Sequence, residues 1–270
     1  MDLSTYRIGI IGSGNMGKAI IKGLQVAKQS PTIAAWDALS DNRKLLKEEL
    51  RVTVPQNNRE LVLNSNIIIL AVKPQVIDLV ITEIADSLTE EKLLISIAAG
   101  VSCKRLENGL KAPVPTVRIM PNTPALINRG ISAIAAGYHA EKKHLEITQN
   151  IFSCLGETAL VPESAMDMVT AVSGSGPAYV FLVIEALLDA AVGLGMAREL
   201  ARKLVIETVL GSTELLKESG KHPMELKDMV TSPGGTTIAG LAELEKNGLR
   251  HAFNEALKSA CQRSQELGNE

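Results

Sequence analysis

Short apolar runs alternate with stretches of helical periodicity through the first 160 residues. The runs at 7–11, 32–36, 67–72, 93–98 and 117–120 read as strands, with helices between them at 16–27, 41–50, 75–88 and 141–155. Strands and helices in alternation predict an α/β fold, a doubly wound sheet with parallel strands. IIILAV at 67–72 and LLISIA at 93–98 lack polar alternation, as strands covered on both faces do, so both belong at the centre of the sheet. After Pro162 the strand pattern stops and helices are predicted at 178–192, 199–219 and 250–267. Ser164-Ala165-Met166-Asp167 reads as a capping box with Asp in place of Glu, and Pro177 suits the first turn of a new helix. The chain therefore divides into an α/β domain over 1–160 and an all-helical domain over 161–270. Within the latter, 178–192 is apolar on nearly every side, broken by Glu185 and Asp189. That makes it too interrupted for a membrane span and too apolar for a surface helix, so a second copy of the chain is expected to cover it.

Composition narrows the partners. With 28 Lys plus Arg against 30 Asp plus Glu, the formal charge is -2, and neither nucleic acid nor an acidic membrane surface is attracted. The N-terminus runs straight into a strand with no basic and apolar leader, an expectation of a cytoplasmic protein. Cys103, Cys154 and Cys261 lie far apart without a Cys-x-x-Cys spacing, and His139, His144, His222 and His251 show no ligand spacing. They are read as packing or structural residues, with no metal site.

Two glycine-rich segments carry the chemistry. Gly12-Ser13-Gly14-Asn15-Met16-Gly17 follows the first strand and opens the first helix, the setting of a dinucleotide loop. Gly12 makes the tight turn, Gly14 lets a pyrophosphate approach the backbone, and Gly17 lets the helix pack on the strand. Asp37 ends the second strand, where an acid accepts hydrogen bonds from the adenosine ribose, and this leans the cofactor toward NADH. Two other readings stand beside it: Asp37 as a turn cap near Ser40 and Asp41, and Arg43 as a ligand for a 2′-phosphate. Ala71-Val72-Lys73-Pro74 ends a central strand at the edge where ligands bind, so its backbone lines the dinucleotide while Lys73 either contacts it or solvates the strand end. Ala98 and Ala99 end the next strand and leave room for a nicotinamide ring. Asn122 and Thr123, between two prolines, face the carboxamide or substrate, or else form a structural turn. The second segment, DMVTSPGGTT at 228–237, sets a Pro-Gly-Gly turn before a helix whose first amides and dipole favour a small anion. Together the two segments predict a dinucleotide brought up against a small carboxylate.

The segments IGIIGSGNMGK (8–18), AVKPQ (71–75), SIAAGV (96–101), RIMPNTPA (118–125), VSGSGPAYV (172–180) and HPMELKDMVTSPGGTT (222–237) resemble, nearly end to end, the pyrroline-5-carboxylate reductase family. The resemblance implies a Rossmann domain followed by a helical domain that builds a homodimer, sometimes assembled further. It implies hydride transfer from NAD(P)H to the imine carbon of 1-pyrroline-5-carboxylate, giving L-proline. It places the substrate carboxylate on Ser232, Gly234, Gly235, Thr236 and Thr237, lines the same end with Glu163, Ser175 and Gly176, and adds Asn57 to the cofactor residues. Thr237 is the catalytic candidate: its hydroxyl orients the ring nitrogen or relays a proton whose source is water or solvent, with helix capping as the alternative. Glu163 has the alternative of a helix-dipole partner. The chain departs from many members in carrying Asp37 where they carry Ser or Thr and use NADPH, and Met229 where some carry Asn. A β-hydroxyacid dehydrogenase would need a lysine base early in the helical domain, yet 164–197 holds neither Lys nor His. A related imine reductase stays open, whereas a non-catalytic NAD(P)H sensor would have no use for the second anion turn.

Overall fold

The computed structural model describes residues 2–269, which form two compact units: 2–175 with 260–269, and Gly176–Ser259. The first unit is built on a seven-stranded sheet in the order β2-β1-β3-β4-β5-β6-β7. Its strands are β1 (Arg7–Ile11), β2 (Thr32–Trp36), β3 (Ile67–Leu70), β4 (Leu93–Ser96), β5 (Thr116–Met120), β6 (Gly130–Ala136) and β7 (Gly156–Leu160). β1 to β5 are mutually parallel, as expected, but β6 runs antiparallel to β5 and β7 follows β6. The sheet is therefore mixed, not wholly parallel. The link from β5 to β6 is a 3₁₀ turn over Thr123–Ile127 closed by Asn128 at φ 59°, too short for the crossover that a parallel strand requires.

Helices α1 (Asn15–Gln25), α2 (Ser40–Glu48), α3 (Asn58–Leu63), α4 (Ile77–Ile84), α5 (Cys103–Asn108) and α6 (Lys142–Phe152) cover the two faces. Along β3, Ile67 and Ile69 join one apolar cluster with Ile20, Leu24 and Phe152, while Ile68 and Leu70 join another with Leu61, Ile81 and Leu106. Burial on both faces explains the unbroken apolar run. Two short helices escaped the periodicity, α3 and α5; each is started by a side-chain cap, Asn57 Oδ1 accepting from the Glu60 amide and Ser102 Oγ from the Arg105 amide.

The capping box read at Ser164 does not form. A 3₁₀ turn over Glu163–Ala165 leads into α7 (Met166–Val169), Ala165 is the cap residue, and Asp167 instead accepts from Ser264 Oγ at 2.7 Å. A reciprocal box does form at Glu141 and His144, which gives that histidine a structural role. By packing, the first unit runs past residue 160, because Met166 is buried with Ala133 and Ala135 of β6.

The second unit holds α8 (Gly176–Gly193), α9 (Arg198–Ser219), α10 (Pro223–Met229), α11 (Thr236–Lys246) and the start of α12 (Leu249–Asn269). Among the described residues its one buried apolar side chain is Ala201, while Phe181, Leu182, Leu210 and Ile238 are exposed. The stretch 163–193 is, against the expectation above, long and apolar enough to cross a membrane by length and composition alone.

Candidate active site

The turn after β1 is shaped for close approach. Gly12 has φ 95°, and a Cβ there would lie 2.6 Å from the Ala71 carbonyl oxygen. A Cβ on Gly17 would fall 2.3 Å from the Gly12 carbonyl oxygen, so α1 packs on the turn only with glycine at that position, whereas the space over Gly14 is open. Asn15 begins α1, and Met16 turns its side chain against the core, so the backbone amides of both lie in the first turn of the helix.

Ser13 is fully buried and faces Asp37. Its N–H and Oγ–H both donate to Asp37 Oδ2, at 2.7 and 2.8 Å, and the Leu39 N–H donates to Oδ1 at 2.9 Å. Burial works against ionisation of Asp37, but the hydrogen bonds from Leu39, Ser13 and Asn42 outweigh it and hold its carboxyl below the ordinary value. Asp37 thus caps a turn, through Leu39 and not through Ser40 or Asp41, and also lines a cleft. Arg43 donates from Nη1 to the carbonyls of Asp37 and Ala38, with its guanidinium 5.6 Å from the centre of the Trp36 ring.

That cleft, about 570 Å³, is bounded by Gly12, Gly14, Trp36 and Asp37 on one side and by Ala71, Val72, Lys73, Val76 and Leu79 on another. Asn58 and Glu83 complete it. Asn57, expected at the cofactor, caps α3 with its Oδ1 held by the Glu60 amide, and the neighbouring Asn58 lines the cleft. Asn58 is 2% exposed and its Oδ1 is buried without a partner. An open space over Gly14 and an ionised Asp37 fit the pyrophosphate and adenosine ribose of a dinucleotide.

Farther along the carboxyl edge, Lys73 is exposed and Pro74 opens a 3₁₀ turn. Ala98 is buried and Ala99 exposed at the end of β4. Asn122 has its Oδ1 engaged by the Ile131 N–H at 2.9 Å, so half of its amide is structural. Glu163 Oε1 accepts from the Cys103 N–H at 2.6 Å, at the start of α5, and stands 3.6 Å from Arg118 Nη1, whose side chain is 7% exposed. The sequence reading gave no role to Arg118, although it opens the segment RIMPNTPA, because nothing local shows that a basic residue in an apolar strand meets Glu163 45 residues away. Burial, followed by the Glu163 charge, pushes the Cys103 thiol far up, and burial pushes Cys154 up to about 11, so both are inert packing thiols. Ser175 closes a π-turn with its N–H on the Thr170 carbonyl, and Gly176 begins α8.

In the second unit, Gly234 at φ 68° and the Gly235 N–H to Ser232 carbonyl bond fold the turn ahead of α11. No side chain caps that helix. Thr208, Thr213 and Thr231 each engage a carbonyl four residues back. Among the described residues, the hydroxyls of Ser232, Thr236 and Thr237 make no such bond, leaving hydroxyl donors beside the first-turn amides of α11.

A Rossmann sheet with this loop, acid and cleft defines an NAD(P)-binding protein of the oxidoreductase class. Residues 7–100 match the model for NADP oxidoreductase, coenzyme F420-dependent, and 163–267 match the pyrroline-5-carboxylate reductase dimerisation domain. The chain is 46% identical to a pyrroline-5-carboxylate reductase of Synechocystis sp., covering 98% of this chain and 99% of the relative, and 45% identical to one of Methanosarcina acetivorans over 98% and 99%. The solved structure of a pyrroline-5-carboxylate reductase from Coxiella burnetii superposes with a TM-score of 0.91 at 37% identity over 97% of this chain and 98% of that one. The pyrroline carboxylate reductase of Plasmodium falciparum with NADP bound gives 0.88 at 34% over 98% and 99%. The chain belongs to the pyrroline-5-carboxylate reductase family.

Proposed function

We infer that this chain reduces the C=N bond of 1-pyrroline-5-carboxylate to give L-proline, with NAD(P)H, as a homodimer in the cytoplasm. The observation that carries the reading is likeness over the whole chain at 46% identity, with both glycine-rich segments present. NAD(P)H, when bound, supplies the hydride. Gly12 to Gly17 hold the pyrophosphate at the start of α1, Asp37 and Asn58 take the adenosine end, and the strand ends at Ala71 to Pro74, Ala98, Ala99 and Asn122 lie along the rest. The amides of Gly235, Thr236 and Thr237 with Ser232 and Gly234 hold the substrate carboxylate, which is oriented as an anion at a helix start. Glu163, Ser175 and Gly176 belong to the substrate end. Thr237 Oγ stands to hydrogen-bond the ring nitrogen; a hydroxyl does not ionise freely near neutrality, so the proton it passes comes from solvent.

NADH is the favoured coenzyme, since Asp37 repels a 2′-phosphate and accepts from ribose hydroxyls. The test is loss of coenzyme absorbance with 1-pyrroline-5-carboxylate, NADH and NADPH supplied separately. Oxidation of both is expected, faster with NADH, and Asp37→Ser is expected to lower the NADH-to-NADPH ratio of kcat/KM by ~10-fold, the worth of about 1.4 kcal/mol. Silence with both coenzymes despite measured binding would turn the reading to another imine or to a sensor. An unchanged ratio in Asp37→Ser would take coenzyme choice away from Asp37.

A further inference from the structure

Ser13 lies between two glycines of the loop, and its surroundings differ from theirs: it has no exposed surface, while the space over Gly14 is open. Consecutive amides tie this loop to the end of β2, the Gly12 N–H donating to the Trp36 carbonyl at 2.8 Å and the Ser13 N–H to Asp37 Oδ2 at 2.7 Å. The Ser13 hydroxyl reaches the same oxygen at 2.8 Å, and it is the donor there because an ionised carboxylate only accepts. Ser13, expected at the cofactor, thus spends its amide and its hydroxyl on Asp37 instead. With the Leu39 N–H on Oδ1 at 2.9 Å, both oxygens of the acid are held. The last torsion of an aspartate is soft, so these bonds decide where its charge points. Asp37 keeps 9% of its surface open and lines the cleft together with Gly14.

We propose that Ser13 is a positioning residue for coenzyme choice: without touching the dinucleotide, its hydroxyl fixes the Asp37 carboxylate at the cleft wall, so that a free ribose 2′-hydroxyl is accepted and a 2′-phosphate meets a charge that does not swing aside. A fixed acceptor needs no ordering when a hydroxyl binds to it, and a fixed like charge rejects the phosphorylated ribose. Alanine at position 13 keeps the amide bond and removes one of the two donors on Oδ2, so the carboxylate gains freedom and loses part of that discrimination. A hydroxyl that served only the packing of the loop would, on removal, weaken both coenzymes alike. The inference rests on the reading that Asp37 selects NADH.

The experiment is steady-state kinetics of Ser13→Ala with each coenzyme, alone and in an Asp37→Ser background. In the otherwise wild-type chain the NADH-to-NADPH ratio of kcat/KM is expected to fall by about threefold, a fraction of what a hydrogen bond to a charged group contributes. In the Asp37→Ser background the same change is expected to leave the ratio where Asp37→Ser alone put it. A ratio that Ser13→Ala leaves unmoved or raises, while Asp37→Ser lowers it, overturns the proposal and leaves the reading of Asp37 standing. An equal shift in both backgrounds also overturns it, since Ser13 would then act on the coenzyme by itself. No change from Asp37→Ser alone removes the reading of Asp37 and the proposal with it. Should Ser13→Ala fold poorly, Ser13→Cys fills the same space with a weak donor, and the same direction of change is expected.

Discussion

Thr237→Val is expected to lower kcat with 1-pyrroline-5-carboxylate by ~100-fold while coenzyme affinity stays unchanged, the scale on which a positioned proton-transfer or orienting group contributes. Valine replaces the hydroxyl by a methyl of similar size, so the backbone of α11 and its first-turn amides remain in place. The Thr237 hydroxyl has no bond to lose within the described residues, unlike Thr231, whose Oγ1 donates to the Lys227 carbonyl at 2.7 Å. A capping role would instead appear as a loss of stability with little change in turnover, since cap residues typically contribute about 1 kcal/mol. Steady-state kinetics with a thermal melt separate the two, and wild-type turnover in Thr237→Val removes this residue from the mechanism. A rise in KM alone would place Thr237 in substrate binding only.

Charges on the apolar face of α8 are expected to have the other large effect. Phe181 and Leu182 are 62% and 64% exposed within one chain, in a unit whose described residues include one buried apolar side chain. A dimerisation domain matches over 163–267, and a second copy of the chain is expected to cover that face. Phe181→Glu combined with Leu182→Glu is expected to yield a monomer by light scattering, a melting temperature lower by ~10 °C or more, and loss of turnover, because burying two unpaired carboxylates costs several kcal/mol. A dimer of wild-type stability would show that another face of the unit makes the interface.

The first half of the chain was largely legible. β1 and β2 fall where alternation and the apolar runs put them, and β3 and β4 end within two residues of expectation. The dinucleotide loop and Asp37 also emerged from spacing alone. β6 and β7 did not, for GISAIAA and GETAL are built largely of small residues with little β-branched content, and their strand state comes from pairing with β5 and with each other. Ser164 looked like a cap and is not one, because the chain enters α7 through a 3₁₀ turn. Between Asn57 and Asn58, chemistry in the sequence is identical; an extended cap position turns one toward the Glu60 amide, and the first helical position turns the other toward Glu83.

What the sequence by itself determined is the order and type of the main elements, the glycine loop, the acid after β2 and the second anion turn. These depend on periodicity and local backbone demands, which act over a few residues. What only the tertiary structure decided is where the polar side chains point. Ser13 meets Asp37 across 24 residues, Asn58 meets Glu83 across 25, and the Cys103 amide meets Glu163 across 60. No local pattern records such pairs, because each exists through the packing of strands and helices that bring distant positions within hydrogen-bonding distance, and burial then obliges every polar atom to find a partner or wait for a ligand.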